Sequence, residues 1–303
     1  MTFKFDPQHP FSCFVTHSES MKNTVQNAQR FAMFDVPLLI QGETGTGKDL
    51  LAKACHYQSL RREHKFIAVN CAGLPDEDAE SEMFGRKVGE DETIGFFEYA
   101  DGGTVLLDGI AEFSLSLQAK LLRFLTDGSF RRVGEEKEHH ANVRVICTAQ
   151  MPLNQLVEQG KVRADLFHRL NVLTLNVPPL RERIADIEPL TEGFLQEISE
   201  SLNIQKPTFD RQFLVYLQQY NWQGNVRELY NTLYRACSLA KDNRLTIENL
   251  NLRLPSNALV SIEEFEKQTL DEIIGRYEAQ VLRAFYREFP STRKLAQRLG
   301  VSH

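Results

Sequence analysis

No stretch of this 303-residue sequence is long and apolar enough to cross a membrane, since a spanning helix needs roughly 20 apolar residues. The N-terminus has no charged leader followed by an apolar segment, and so predicts no secretory signal. The five cysteines are odd in number, scattered and never in a Cys-x-x-Cys pair, which favours reduced thiols over disulfides. The eight histidines have no metal-site spacing. These absences predict a cytoplasmic protein with no membrane partner and no structural zinc.

Basic residues are concentrated at the C-terminus of a chain that is acidic as a whole. The formal net charge is −6, but residues 276–303 hold six basic and two acidic side chains, which gives this segment +4 and the remainder −10. A basic tail on an acidic body is a modest indication of nucleic-acid contact. On charge alone, a solvated helix face is the favoured explanation.

Short β-rich apolar runs alternate with helical stretches in the first 180 residues. The runs are 36–40, 66–70, 104–108, 143–147 and 172–175. Near-continuous apolar strands between helices predict a parallel sheet covered on both faces, and hence an α/β fold. Beyond Pro178 and Pro179 the strand pattern stops. Amphipathic helical patterning then continues to about Leu250 and predicts an all-helical lid, with Trp222 in a turn.

The domain boundaries follow from these changes of pattern. We expect an α/β subdomain over residues 1–180, a helical lid over 181–254, a linker over 255–268 and a small all-α domain over 269–303. Thr269 and Glu272 predict a capping box at the start of the last domain.

A glycine-rich octet follows the first apolar run and precedes a predicted helix that begins near Lys48. Its residues are Gly42, Glu43, Thr44, Gly45, Thr46, Gly47, Lys48 and Asp49. In a phosphate-binding loop of this kind, glycines let backbone N–H groups turn towards phosphates, and the helix N-terminus and the lysine add positive charge. The strict pattern has Ser or Thr where this chain has Asp49, so a glycine turn with a chance lysine is the alternative. The strand–loop–helix context favours ATP with Mg²⁺ as the ligand.

An acidic residue at the end of a buried strand is the second element expected in such a site. Asp108 ends the run 104–108 and is predicted to reach the metal of Mg-ATP through water, although an isolated Asp after a strand is often only a helix cap. In hydrolysing ATPases of this layout the next residue is usually Glu, which polarises the attacking water, and here it is Gly109. Loss of a positioned base typically costs about 10²–10⁴-fold in rate. The sequence therefore predicts ATP binding with weak hydrolysis.

Seven ordered segments together resemble the AAA+ domain of bacterial enhancer-binding transcription activators. They are residues 42–48, 70–72, 82–85, 100–104, 165–172, 177–181 and 224–229. The resemblance implies that Arg163 and Arg169 are arginine fingers for a neighbouring subunit's γ-phosphate, and that Arg227 is the lid arginine that senses nucleotide. Taken singly, each would be a surface arginine paired with a carboxylate. The resemblance also places Gln150 where the family usually has a water-orienting Asn, which again points to weak hydrolysis.

The segment after Phe84 and Gly85 departs from the family. Members that remodel the polymerase of the alternative sigma factor carry the loop Gly-Ala-Phe-Thr-Gly-Ala here, whereas residues 86–98 of this chain are shorter and have none of that sequence. A protein without the contact loop does not work by that mechanism. We therefore expect regulation at ordinary promoters, with the RNA polymerase that acts there.

The C-terminal tail predicts the first helix and turn of a helix-turn-helix. Gly300 makes the turn, and Ser302 would cap the next helix, which enters the major groove of operator DNA in such domains. That recognition helix is expected to be missing from a sequence that ends at His303. An ordinary helix ending in glycine is the alternative, and the family resemblance favours DNA binding. The predicted DNA-binding residues are Ser291, Thr292, Arg293, Lys294, Ser302 and His303.

Within this family, the sequence resembles the tyrosine-responsive regulators of aromatic amino-acid genes. The features that carry this resemblance are residues 118–125 and 290–296 and the missing contact loop. The resemblance implies a homodimer that binds double-stranded operator DNA, takes tyrosine or another aromatic amino acid as effector with ATP, and assembles to a hexamer. The leading hypothesis is a repressor or activator of aromatic amino-acid biosynthesis and transport genes, with ATP mainly a ligand. The alternative is a slow ATPase or a phosphohydrolase that uses the same pocket. A third hypothesis is a disabled subunit that supplies arginine fingers to a partner ATPase.

Overall fold

A computed structural model describes residues 5–240, 243–252, 269–272, 274–275, 278–279, 282 and 298 of the chain. The chain divides into two units, residues 1–252 and 253–303. Within the described residues the α-helices are α1 (Glu19–Ala32), α2 (Lys48–Gln58), α3 (Asp76–Phe84), α4 (Phe96–Tyr99), α5 (Leu115–Asp127), α6 (Leu153–Glu158), α7 (Ala164–Leu170), α8 (Ile187–Leu202), α9 (Arg211–Gln219), α10 (Asn225–Leu239) and α11 (Ile247–Leu250). The strands are β1 (Leu38–Gln41), β2 (Phe66–Asn70), β3 (Arg86–Val88), β4 (Asp91–Thr93), β5 (Thr104–Asp108), β6 (Ser129–Arg131), β7 (Glu138–His140), β8 (Arg144–Ala149), β9 (Leu173–Asn176), β10 (Thr208–Phe209) and β11 (Arg244–Leu245).

Five parallel strands form the central sheet, in the order β2-β5-β8-β1-β9. Strands β2 and β5 have the predicted bounds, and β1, β8 and β9 start and end one or two residues later than predicted. Leu38 and Ile40 of β1 pack with α1 and α2, whereas Leu39 packs into the core on the opposite face. Burial on both faces explains why the strands read as nearly continuous apolar runs. The predicted α/β class is confirmed.

The parallel register brings the carboxyl ends of four strands to one edge of the sheet. Gln41 of β1 pairs with Ala149 of β8, and Asn70 of β2 pairs with Asp108 of β5, while β5 itself lies beside β8. The glycine-rich loop, the acidic residue at the end of β5 and the residue after β8 therefore lie together, as ligand-binding residues of open α/β sheets generally do.

The lid consists of α8–α11 around buried aromatic side chains. Trp222 is fully buried, its indole N–H donates to the carbonyl of Leu217 at 2.7 Å, and its ring meets that of Tyr220 edge-on at 4.9 Å. The prediction of an all-helical lid was wrong in one detail, because β10 and β11 form a two-residue parallel pair between the helices. Pairs this short have too few residues to show the period-two alternation that identifies a strand.

Two antiparallel hairpins occupy the region around the shortened contact loop. One is β3–β4, which turns at Gly89 with φ 64°, and the other is β6–β7. The backbone N–H of Lys87 donates to the carbonyl of Val133 at 2.8 Å and ties the first hairpin to the second. The segment that is a contact loop in enhancer-binding activators is thus a short paired hairpin here.

The start of the C-terminal unit is described only in part. The backbone N–H of Thr269 donates to Glu272 Oε2 at 2.8 Å, and the N–H of Glu272 donates to Thr269 Oγ1 at 3.4 Å, which confirms the predicted capping box. All six predicted DNA-binding residues lie outside the described residues. No helix in the described part of the chain is both long enough and apolar enough to span a membrane.

Candidate nucleotide-binding site

The glycine-rich loop joins β1 to α2 with a left-handed backbone at three glycines. The φ angles are 154° at Gly42, 80° at Gly45 and 98° at Gly47, values that other residues rarely adopt. A Cβ on Gly42 would lie 2.7 Å from the carbonyl oxygen of Val177, and one on Gly45 would lie 2.2 Å from that of Gly224. Close approach of backbone therefore requires glycine at both positions. Around Gly47, at the N-cap of α2, there is open space in front of the helix N-terminus.

Lys48 is the first residue of α2, as predicted, and its ammonium turns back across the loop. Nζ donates to the carbonyl oxygens of Gly42 at 2.8 Å and Glu43 at 3.0 Å. Burial lowers the pKa of Lys48, and the carboxylates of Asp108 and Asp49 oppose that shift. A buried ammonium held only by backbone carbonyls and facing a cavity is well placed to bind phosphate.

Asp49 stands where the strict loop pattern has a hydroxyl side chain. It lines the same cavity as Asp108. Burial is the largest cause of a raised pKa at Asp49, and the nearby charge of Asp108 raises it further. The charges of Lys48 and Arg227 oppose this shift. A divalent cation would offset the repulsion between these carboxylates, and carboxylate oxygens are ligands that Mg²⁺ prefers. The two residues fit the Mg²⁺ that accompanies ATP.

Thr148 of β8 fixes the end of β5. Its hydroxyl donates to Asp108 Oδ1 and accepts the backbone N–H of Gly109 at 2.9 Å. Gly109 has φ 85°, and a Cβ placed there would meet the Cγ atom of Glu112 at 3.5 Å. The acid at the end of β5 is in place, but position 109 supplies no base.

The lid meets the loop at the first turn of α10. The backbone N–H of Arg227 donates to the carbonyl of Gly45 at 3.3 Å, and the Arg227 side chain lines the cavity. The side-chain amide of Asn225 donates to the carbonyl of Thr44 at 3.0 Å. The phosphate loop is therefore bonded to the lid on one side and open to the cavity on the other.

A cavity of about 820 Å³ extends from the loop to the lid, within the roughly 300–1,000 Å³ typical of small-molecule sites. Its charged or polar lining includes Lys48, Asp49, Asp108, Gln150 and Arg227. Its apolar lining includes Phe14, Val15, Leu190, Phe194 and Tyr230. One set of residues suits phosphates and Mg²⁺, and the other suits a purine base. The glycine cradle, the lysine and the cavity together fit ATP.

Arg163 lies at the N-cap of α7 and is partly exposed, and Arg169 lies in the last turn of α7 and is exposed. Nε and Nη2 of Arg163 donate to the carboxylate of Asp165 at 3.0 and 2.7 Å, and the same atoms of Arg169 donate to the carbonyl of Leu125 at 3.0 and 2.7 Å. Neither of these described side chains lines the cavity of its own chain. Their role as arginine fingers stays a prediction.

The structure brings most of the predicted nucleotide ligands to one cavity. The predicted residues that line it are Thr44, Gly45, Thr46, Gly47, Lys48, Asp49, Asp108, Gln150 and Arg227. Gly42 and Glu43 are not among the lining residues, and they contact β9's end and the lid instead. Sequence reasoning missed Thr148, Asn225 and the apolar lining. Asn225 stands inside a segment that carried the family resemblance, so its signal was present, whereas nothing in the local sequence marks Phe14 or Tyr230.

Comparisons with known proteins agree with this geometry. Residues 14–176 match the family model of the Sigma-54 interaction domain, 181–264 that of an AAA+ ATPase lid domain and 267–303 that of a helix-turn-helix domain. The chain is 81% identical over 300 residues to the HTH-type transcriptional regulatory protein TyrR of Haemophilus influenzae, a match that covers 99% of this chain and 94% of that protein. The chain belongs to the TyrR family. It is a TyrR-family transcriptional regulator with AAA+ ATP-binding and helix-turn-helix DNA-binding domains.

Other relatives are longer than this chain. The TyrR protein of Enterobacter agglomerans is 52% identical over 97% of this chain, and the chain spans 57% of that TyrR-family protein. The solved structure of NtrX from Brucella abortus in complex with ATP matches with a TM-score of 0.74 and 32% identity, over 95% of this chain and 66% of that one. The fold and family that the sequence resembled are confirmed.

Proposed function

We propose that the chain is an operator-binding regulator of aromatic amino-acid biosynthesis and transport genes in which ATP is mainly a ligand. The observation that carries this proposal is the combination of an intact loop and lysine with Gly109, whose N–H is tied to Thr148. Phosphate-binding groups are present, and the residue that usually polarises water is replaced by a glycine with no side chain. Binding should therefore be retained where hydrolysis is weak.

The named residues have distinct roles in this proposal. Loop residues 44–47 and Lys48 would hold the phosphates, while Asp108 and Asp49 would hold the Mg²⁺ bound with ATP. Arg227 senses the nucleotide from the lid. Bound Mg-ATP would supply the charge that draws Arg163 and Arg169 of a neighbouring subunit to the site. Tyrosine or another aromatic amino acid is the proposed effector, and with ATP it promotes assembly of the homodimer to a hexamer.

Binding to double-stranded operator DNA is the proposed output. The family model of a helix-turn-helix domain over residues 267–303 and the basic charge of the tail support it. The short β3–β4 hairpin in place of the contact loop supports action at ordinary promoters, with RNA polymerase as the proposed partner there. Such a regulator acts in the cytoplasm, where the operators are.

ATP affinity and ATPase rate measured on one sample test the proposal. We expect ATP to bind and to turn over slowly. The control is Gly109→Gln, which imposes the same backbone strain without a carboxylate. Relative to this control, Gly109→Glu should raise ATP turnover or leave it low. Operator binding by Gly109→Glu should stay intact. Fast wild-type turnover that Asp108→Asn abolishes would contradict the proposal, and so would the absence of ATP binding.

A slow ATPase, or a phosphohydrolase using the same pocket, is the second candidate, and the position of Glu112 favours it. Glu112 lines the cavity, and its Cγ lies 3.5 Å from where a side chain at position 109 would begin. Its carboxylate is thus the available substitute for the missing base. If this candidate holds, Glu112→Gln abolishes the residual turnover and leaves ATP affinity unchanged. Equal ATP turnover in the wild type and in Glu112→Gln would exclude this second candidate.

A further inference from the structure

Asn225 lies where the lid meets the phosphate loop. Its side-chain amide donates to the carbonyl of Thr44 at 3.0 Å and to Glu43 Oε2 at 3.1 Å, and it accepts the backbone N–H of Leu180 at 2.7 Å. The residue is 0% exposed, and its φ of 53° is left-handed. Asn is among the few residues that tolerate this backbone, and its amide offers both donors and an acceptor. Each of these properties is used here.

Glu43 puts a carboxylate into a loop that otherwise suits an anion. Arg181 Nη1 donates to Glu43 Oε2 at 2.8 Å, the same oxygen that accepts from Asn225. The hydrogen bond from Arg181 and, less strongly, that from Asn225 hold the pKa of Glu43 below its ordinary value, against the opposing effect of burial. The carboxylate therefore stays charged but is bonded towards the lid, where its charge is compensated.

Two further lid-side groups bond the next residues of the loop. The backbone N–H of Arg227 donates to the carbonyl of Gly45, and Arg183 Nη2 donates to the carbonyl of Thr46, both at 3.3 Å. Arg183 is 4% exposed, so this contact is shielded from water. Residues 43–46 and the start of the lid thus form one bonded unit.

We infer that Asn225 is a positioning residue for ATP, which sets the shape of the phosphate loop from outside the pocket and couples phosphate binding to α10. Asn225 does not itself line the cavity. Any shift of Thr44 and Gly45 on binding phosphate is passed through its amide to the helix that carries Arg227. The inference rests on ATP binding at this loop, as in the proposed function.

Trp222 provides a built-in reporter of this coupling. It is the single tryptophan of the chain, and its carbonyl accepts the backbone N–H of Asn225 at 2.8 Å. Trp222 itself has φ 46° and is fully buried. A movement of Asn225 therefore changes the surroundings of the only indole.

Asn225→Asp keeps the shape, the left-handed tolerance and the acceptor for Leu180 but removes both donors, and Asn225→Gly removes the same donors without adding a carboxylate beside Glu43. Asn249→Asp is the matched control: it makes the same chemical change in the lid, where the side chain only accepts from Thr246 at 2.8 Å. Calorimetric titration of the full chain with Mg-ATP gives affinity, and Trp222 emission gives the response of the lid. We expect Asn225→Asp to weaken ATP binding about tenfold or more and to abolish the emission change, with Asn249→Asp unaffected.

Circular dichroism and thermal unfolding without ATP separate this role from general stability. If Asn225→Asp fails to fold, Asn225→Gly retains the backbone conformation and loses only the side-chain bonds, and the same loss of ATP affinity is expected. Wild-type ATP affinity in a folded Asn225 variant overturns the inference. Absence of ATP binding in the wild type and in Asn249→Asp would overturn the proposed function instead.

Discussion

At the scale of single residues, His56 links stability to pH. Its Nδ1 is 2.9 Å from Thr104 Oγ1, its ring lies 5.1 Å from that of Phe66, and Nε2 has no hydrogen-bond partner in the described part of the chain. Burial lowers the pKa of His56 to about 4. The unfolded chain binds a proton at this histidine below about pH 6.5, whereas the folded chain binds it only below about pH 4. Stability should therefore fall as pH falls through that interval.

His56→Asn keeps a hydrogen-bonding group near Thr104 and does not titrate. Between pH 7 and pH 4 the wild type should lose about 3 kcal/mol more free energy of unfolding than this variant, since one pKa unit corresponds to about 1.4 kcal/mol. Denaturant unfolding of both proteins at several pH values measures the difference. Parallel pH dependences in the two proteins would show that His56 is not the titrating group.

The residues of the site differ in how far sequence predicts them. Gly42–Asp49 are contiguous, so their chemistry is visible in the motif itself. Asp108 is predicted because it ends an apolar strand. Thr148 is not, because its role depends on β8 lying beside β5, and a threonine in a strand has no local mark of that contact. Asn225 likewise acquires its role only when the lid packs on the loop.

At the scale of elements, the long strands of the sheet were predictable and the short hairpins were not. Burial on both faces gives β1, β2, β5, β8 and β9 apolar runs that stand out from the helices. The β3–β4 and β6–β7 hairpins have three-residue strands rich in charged side chains, so neither hydrophobicity nor alternation identifies them. The two hairpins are held together by backbone hydrogen bonds and by a set of ionic contacts between residues far apart in sequence.

Arg132 is the centre of that set and gives a prediction for the hairpins. Its side chain is 5% exposed, donates to Glu98 Oε1 at 2.8 Å and also bonds Glu92. Arg132→Met leaves these carboxylates close together without their cation, and should lower the free energy of unfolding by about 2 kcal/mol. This cost is smaller than that of breaking a fully buried ion pair, because the carboxylates are partly exposed. It should also open the β3–β4 hairpin to trypsin. In the control Arg123→Met, which breaks a half-exposed pair with Glu138, the loss should stay below about 1 kcal/mol.

At the scale of the whole molecule, the proposed arginine fingers lie outside the nucleotide cavity of their own chain. Arg163 and Arg169 do not line the cavity of their own chain, and their side chains bond Asp165 and the carbonyl of Leu125. On the proposed function, assembly would bring a neighbouring site close, and we predict that both arginines then exchange these partners for its more strongly charged phosphates. The arginines should then matter for assembly and not for ATP binding by a dilute single chain.

Replacing Arg163 and Arg169 together with Gln tests this division of roles. In the dilute variant, ATP affinity should be unchanged, whereas the shift to larger assemblies with ATP and tyrosine, followed by sedimentation, should be lost. A Lys48→Ala chain has intact fingers but a defective loop, so mixing it with the double-Gln variant restores complete sites at some interfaces. We expect the mixture to recover part of the assembly that neither protein shows alone.

Loss of ATP affinity in the dilute double-Gln variant would instead show that the arginines act within their own chain. Failure of the mixture to recover assembly would show that they do not act across the interface.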